Sequence, residues 1–173
     1  MRQTFVLLCL LPVSLASAAE PANPLLASSK AFYDQIKSLV LRSADKLDEA
    51  DYNFKPSPGV RSYGQLLAHI ADAQYIMCGM VESGKPVMKA NEKTARTKAE
   101  IVAALNDGFA FCDGQYRKLT DADLAKSVDW FGGQRTKLSI LDFNIAHAFE
   151  HYGNLVTYMR IKGIVPPSSE PRR

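Results

Sequence analysis

The sequence of 173 residues predicts an all-α protein built as a four-helix bundle. Apolar residues recur at helical spacing through four long segments, and strand-like alternation is scarce. Three of these segments follow a Ser or Thr with an acid or amide three positions later, a pattern that caps helix N-termini. Amphipathic helices of about 20 residues bury their apolar faces most simply against one another.

Residues 1–18 are predicted to be a signal peptide rather than part of the bundle. Arg2 precedes an apolar run from Phe5 to Leu15, and Ala16-Ser17-Ala18 fits the small-x-small cleavage pattern. An uncleaved anchor is the alternative, but the run is shorter than the roughly 20 residues of a transmembrane helix. We therefore expect residues 19–173 to form one domain that is periplasmic or secreted and free of the membrane after cleavage.

Composition excludes several classes of function. The net charge is only +3, and no basic run is interleaved with aromatic residues, so a nucleic-acid partner is not expected. The sequence contains no glycine-rich phosphate loop, no Gly-x-Ser-x-Gly elbow and no Cys-x-x-Cys pair. No unusually long apolar stripe demands self-association, and a homodimer stays an open alternative.

The first helix is expected to run from about Pro24 to about Asp48. Asn23 is the expected N-cap, and Pro24 suits the first helical position because its missing N–H costs nothing there. The prolines within residues 54–59 prevent the helix from continuing.

The other three helices are expected to begin at capping pairs. The pairs are Ser62…Gln65, Thr97…Glu100 and Ser139…Asp142. The second helix should end near Ser83-Gly84 and the fourth at Lys162-Gly163, where glycine suits a helix C-terminus.

Residues 129–134 separate the third and fourth helices and carry the only tryptophan, Trp130. This segment is expected to be a short hairpin or a loop across one end of the bundle. Trp130 has two interpretations, a hydrophobic lid that closes the core and a platform for substrate, and the lid is favoured.

The chain has three histidines, His69, His147 and His151, and each falls on the apolar stripe of its helix. Because His147 and His151 are four residues apart, their side chains project from one helix face on successive turns. A third imidazole from a neighbouring helix would complete a site for one divalent metal ion with positions left open. Imidazole ligands favour zinc or nickel, with iron and copper as alternatives.

A metal-free core is the competing interpretation, in which each histidine has an ordinary hydrogen-bond partner. Burial of three imidazoles is unfavourable unless every nitrogen is satisfied, and one shared metal satisfies three at once. Asp72, one turn after His69, is either an acceptor for a ligand imidazole or a solvated charge. Glu150 is expected to face solvent.

Four segments of the sequence occur in a familiar order and spacing: residues 55–62, 66–70, 147–155 and 158–167. Together they resemble the DinB-like, or damage-inducible, superfamily of metal-binding four-helix bundles, which includes thiol-dependent transferases. The resemblance implies an up-down-down-up bundle with long connections, with a metal held at one end by His69, His147 and His151. The chain departs from the family pattern at Tyr152 and Asn154, where a basic residue and a glutamine are frequent.

The topology that the resemblance implies bears on Cys78 and Cys112. If the second and third helices are parallel, the two sulfurs lie at nearly equal heights, and a disulfide becomes feasible when the α-carbons approach within about 7 Å. The resemblance further implies a metalloenzyme, either a thiol-dependent transferase or a metal-assisted hydrolase, acting on an unknown small molecule. A non-catalytic bundle with a structural metal is the alternative.

Overall fold

The computed structural model describes residues 22–171, so the predicted signal peptide lies outside the described residues. Eight elements follow in chain order: α1 (Pro24–Ala44), α2 (Tyr63–Ser83), α3 (Asn91–Thr94), α4 (Lys98–Tyr116), α5 (Asp121–Leu124), β1 (Ser127–Trp130), β2 (Gly133–Thr136) and α6 (Lys137–Ile161). Short 3-10 turns cover Glu49–Asp51 and Pro167–Ser169. The all-α prediction is confirmed. Within residues 22–171, no helix is both long and apolar enough to cross a membrane.

The four long helices pack around one apolar core. Helices α2 and α4 are parallel, because Ala71 of α2 lies beside Gly108 of α4 and Cys78 lies beside Cys112. Helices α2 and α6 are antiparallel, since His69 and Gln74 contact His147 and Asn144 respectively. The fold thereby brings His69 in the first turns of α2 next to the middle of α6.

Two predicted capping boxes are present and one is wrong. The Ser62 and Thr97 side chains accept N–H groups from Gln65 and Glu100, whose side chains return the contact. The fourth helix begins one turn earlier than predicted, because Thr136 rather than Ser139 is the N-cap. Thr136 ends β2 directly, so the strand leads into the helix with no intervening loop.

Helix α1 ends at Ala44 rather than near Asp48. The hydroxyl of Tyr63 donates to the Ser43 carbonyl at 2.7 Å, and the hydroxyl of Tyr52 donates to the Ala44 carbonyl at 2.5 Å. These two tyrosines take the carbonyls that a longer helix would have used for its own hydrogen bonds.

Asn23 occupies the N-cap position of α1, but its side chain does not cap the helix. Its Oδ1 instead accepts the Asp121 N–H at 3.0 Å, and the Asp121 carboxylate accepts the N–H groups of Leu25 and Leu26. The start of α1 is therefore capped by a residue nearly one hundred positions away.

The segment before α6 is a two-stranded antiparallel hairpin, one of the two predicted forms. Its turn places Phe131 at φ 46° and Gly132 at φ 82°, so a bulky residue adopts a left-handed conformation. Trp130 is half-buried against the core, whereas Phe131 is 89% exposed.

Two side-chain links tie α2 to its neighbours. Cys78 and Cys112 form a disulfide between α2 and α4, with their α-carbons 5.3 Å apart. The fully buried amides of Gln74 and Asn144 exchange hydrogen bonds of 3.1 and 2.8 Å between α2 and α6. A shift in register along either interface would break these contacts.

Candidate metal centre

Helices α2 and α6 bring the three histidines to one point. His69 lies in the second turn of α2, and His147 and His151 lie on successive turns of α6. One side-chain nitrogen from each ring lies within 4.8 Å of the other two. The structure therefore assembles the cluster that the sequence predicted, and it can hold a metal ion.

The spacing of the nitrogens fits coordination. Nε2 of His147 lies 3.2 Å from Nε2 of His69 and 3.0 Å from Nε2 of His151. Two imidazole nitrogens bound to one ion at about 2.0–2.1 Å, with angles of about 90–109°, lie roughly 2.8–3.4 Å apart. Both Nε2–Nε2 separations fall in this interval.

Hydrogen bonding within the cluster cannot satisfy all three rings by itself. The Nδ1 atoms of His147 and His151 are buried without a partner among residues 22–171, and a metal bound at Nε2 would leave them so. Nε2 of His147 faces two other Nε2 atoms, and its single proton can be donated well to only one of them. A cation at the centre would accept a lone pair from each Nε2 atom.

Glu92 completes the surroundings of His69. Its Oε2 lies 2.8 Å from Nδ1 of His69, and its Oε1 accepts a hydrogen bond of 2.8 Å from Nε of Arg61. Burial opposes ionisation of this carboxyl, but the hydrogen bonds from Arg61 and His69 outweigh it and lower the pKa of Glu92. An ionised carboxylate only accepts, so Nδ1 of His69 donates and its Nε2 lone pair faces the cluster.

Asp72 has neither of the two roles considered from the sequence. It is buried, and Oδ1 accepts from the backbone and side-chain amides of Asn91, while Oδ2 accepts the Glu92 N–H. Asp72 thus holds the first turn of α3 and positions Glu92. Glu150 is exposed, as expected.

Glu92 is the residue that the sequence prediction missed. It lies in a short helix within the connection between α2 and α4, and no motif in that connection marks it. Only the fold brings it within hydrogen-bonding distance of His69.

Burial lowers the basicity of the two histidines on α6. Desolvation, reinforced by the neighbouring His151 and His69 rings and by Arg61, lowers the pKa of His147 to about 4. Desolvation and His69 also lower the pKa of His151. Both imidazoles are therefore neutral at pH 7, the form that binds metal ions.

The sequence model of the DinB superfamily matches residues 33–155, which include all three histidines. The chain belongs to the DinB superfamily. An uncharacterized relative, YjoA of Bacillus subtilis, is 25% identical over 132 residues that span 69% of this chain and 79% of YjoA.

Solved structures share the DinB fold. A DinB-like protein from Bacillus cereus superposes with a TM-score of 0.72 at 19% identity, over 82% of this chain and 95% of that one. YjoA gives 0.69 at 20% identity, over 84% and 99%. A mutant of the mycothiol-dependent maleylpyruvate isomerase gives 0.60 at 14% identity, over 75% of this chain and 60% of the isomerase.

The two departures from the DinB pattern have separate surroundings. Tyr152 is buried, and its hydroxyl accepts the Ser168 N–H at 2.9 Å, which holds the segment after α6 against the bundle. Asn154 instead lines a cavity of about 640 Å³ beside His151. We call this the histidine cavity, and its other lining residues include Lys55, Arg61, Gln65, Glu92 and Tyr158.

An aromatic row adjoins the cluster at His147. The Phe143 ring lies 6.3 Å from the His147 ring and 6.1 Å from the Trp130 ring. Trp130 thus packs against the core, and the Phe143 ring lies between it and the candidate ligand His147.

Proposed function

We propose that this DinB superfamily member is exported and binds one divalent transition metal through His69, His147 and His151. In this proposal the protein is a metalloenzyme acting on a small molecule. The cluster of three histidines carries the proposal, since Nε2 of His147 lies at coordination spacing from Nε2 of both His69 and His151. Three imidazoles suit zinc or nickel best, with iron or copper as alternatives.

The metal would act as a Lewis acid, polarising a carbonyl or lowering the pKa of bound water or thiol. The residues of the chain orient the ligand histidine and the bound molecule. Glu92 holds the Nδ1 proton of His69 and so keeps the Nε2 lone pair directed at the centre. Arg61, Asn154 and Tyr158 line the adjoining histidine cavity, whose volume of about 640 Å³ suits a small molecule.

Metal-assisted hydrolysis is the preferred reaction class, with thiol transfer second. One structural neighbour is named as a mycothiol-dependent enzyme, which supports thiol chemistry in this fold. Export, however, would separate the protein from abundant cytosolic thiols. A metal-loaded protein inert towards ester, amide and thiol-plus-electrophile panels would contradict the enzymatic proposal.

A structural metal is the second candidate function. A structural zinc site is normally closed by four protein ligands, whereas residues 22–171 place three histidines at the cluster and no fourth His, Cys, Asp or Glu. The three-ligand set favours an open site and therefore the first candidate.

Two observations support export. The apolar run with its small-x-small ending is typical of a signal peptide. The Cys78–Cys112 disulfide is typical of an oxidising compartment. N-terminal sequencing of the protein expressed in a bacterium with two membranes should find a start at Ala19 in the periplasm, and an intact N-terminus in the cytoplasm would contradict export.

Elemental analysis tests the metal site. Protein purified without a histidine tag should carry about one equivalent of zinc, nickel, iron or copper, and a His147→Ala/His151→Ala variant should carry none. Asp107→Asn is the control, because Asp107 is exposed on α4 and lines neither the histidine cavity nor the cluster. Circular dichroism establishes that each variant is folded. Failure of the folded wild-type protein to bind any of these metals on titration would overturn the proposal.

A further inference from the structure

A second cavity adjoins the candidate metal centre. Its volume is about 480 Å³, and it lies between the start of α2, α3 and the start of α4. We call it the α2–α4 cavity. Its walls include Tyr52, Ala68 and Ile101, and its charged lining residues are Lys55, Glu92, Lys93 and Arg96.

Cationic side chains outnumber acidic ones in the lining of this cavity. The exposed side chains of Lys55, Lys93 and Arg96 form no ion pair within residues 22–171, and the Glu100 carboxylate beside Arg96 accepts that residue's backbone N–H at 2.7 Å. The one acid at the cavity, Glu92, is already bonded to Arg61 and His69. Three exposed cationic residues therefore line one cavity whose single lining acid is already bonded, an arrangement that a bound anion would stabilise.

The N-termini of two helices add positive potential at this cavity. Helices α2 and α4 both begin at this cavity, so the positive ends of their dipoles border it. The N–H groups of both helix ends are partly occupied by their capping boxes. The lysine and arginine side chains are therefore the main source of positive charge, and the helix ends add to it.

The α2–α4 cavity is continuous in its lining with the histidine cavity. Lys55, Gln65 and Glu92 line both. Glu92 also contacts His69 directly, so one small molecule can extend from the cationic side chains to the histidine cluster.

We propose that the α2–α4 cavity binds an oxyanion, carboxylate or phosphate, and thereby selects substrates that carry such a group at one end. The part of the proposal that concerns substrate rests on the proposed function. The oxyanion site itself does not, since none of its three cations is a candidate metal ligand.

Calorimetric titration of the metal-free protein tests the oxyanion site. Inorganic phosphate and succinate are the two probes, and they distinguish phosphate from carboxylate recognition. The titrations are done at low ionic strength, because salt screens exposed charges. We expect saturable binding of at least one probe, and its absence for both would overturn the proposal.

Variants locate the binding. Lys55→Gln/Lys93→Gln/Arg96→Gln should weaken binding at least tenfold. The control Lys85→Gln/Arg117→Gln/Arg135→Gln removes the same charge from exposed positions that line neither cavity, and it should bind as the wild type does. Equal weakening in both triple variants, or none in the first, would overturn the proposal.

The His147→Ala/His151→Ala variant separates the two proposals. Oxyanion binding should persist in it, because the α2–α4 cavity contains neither histidine. Loss of binding together with the histidines would assign the anion to the histidine cluster and overturn the separate site. If the wild-type protein binds the oxyanion but takes up no metal, the oxyanion site stands and the metalloenzyme proposal fails.

Discussion

Asp72 fixes the backbone of Glu92: its Oδ2 accepts the Glu92 N–H at 3.0 Å, and Glu92 in turn bonds Nδ1 of His69. The chain of contacts runs from a buried carboxylate on α2, through α3, and back to the candidate ligand on α2. Removal of either acid should therefore weaken metal binding without altering a ligand.

Glu92→Ala should lower metal affinity about 10–100-fold, the usual effect of losing a carboxylate that orients a ligand histidine. Competition with a chromophoric chelator measures this change. Asp107→Ala, at an exposed position on α4, is the control and should leave affinity unchanged. An unchanged affinity in Glu92→Ala would show that His69 needs no such partner.

Asp72→Ala should lower metal affinity in the same direction, because Glu92 loses its anchor. The effects of Asp72→Ala and Glu92→Ala should not add in the double variant, since both disrupt the same contact to His69. Full additivity in the same chelator assay would mean that Asp72 acts independently of Glu92.

Loss of the disulfide should destabilise the fold. Cys78→Ala/Cys112→Ala opens a loop with a sequence separation of 34 residues, and the expected decrease in the free energy of unfolding is about 3–4 kcal/mol. Urea denaturation measures it, with the unreduced wild type as reference. Mass spectrometry that finds two free thiols in the purified wild type would contradict the pairing.

The Gln74–Asn144 pair should show strong coupling. Gln74→Leu leaves the buried Asn144 amide without its main partner, which is expected to cost about 1–3 kcal/mol of unfolding free energy. Gln74→Leu/Asn144→Leu should recover part of this loss, because no unsatisfied amide then stays between α2 and α6. A double variant less stable than the sum of the single variants would contradict this account.

Metal-free protein should lose stability as the pH falls from about 6.5 towards about 4. His147 has a folded-state pKa of about 4 against an ordinary value of 6.5, so the unfolded chain binds more protons within this interval. The contribution of neutral His147 to the free energy of unfolding is fully present above the pKa of the unfolded state. It is lost as the pH falls through the pKa of the folded state. Urea denaturation across this range should show a shallower pH dependence in His147→Gln, and an identical slope would contradict the shift.

Local signals predicted the fold because they act within a few residues. The Ser62 and Thr97 capping boxes and the Gly84 helix end depend on neighbouring side chains and backbone angles, and all three are present. The start of the fourth helix was misplaced because Thr136 and Ser139 both suit an N-cap, and the acid at Asp142 favoured the wrong one.

Features that depend on distant residues could not be predicted in this way. Asp121 caps α1, Tyr52 and Tyr63 close its C-terminus, and Glu92 contacts His69. These contacts join positions that are 8 to 95 residues apart, beyond the reach of capping and helical spacing. The histidine cluster was the exception, because three histidines on apolar faces leave few alternatives for where they meet.

The side-chain links of α2 to its two neighbouring helices limit the routes by which a ligand can enter. Helix α2 is bonded to α4 through Cys78 and to α6 through Gln74, both C-terminal to His69. Separation of the long helices would break these links, so the bundle itself is a poor gate. Exchange of ions and small molecules should be governed by the connections that carry Lys55 and Glu92, and its rate should respond to changes there far more than to changes in the helices.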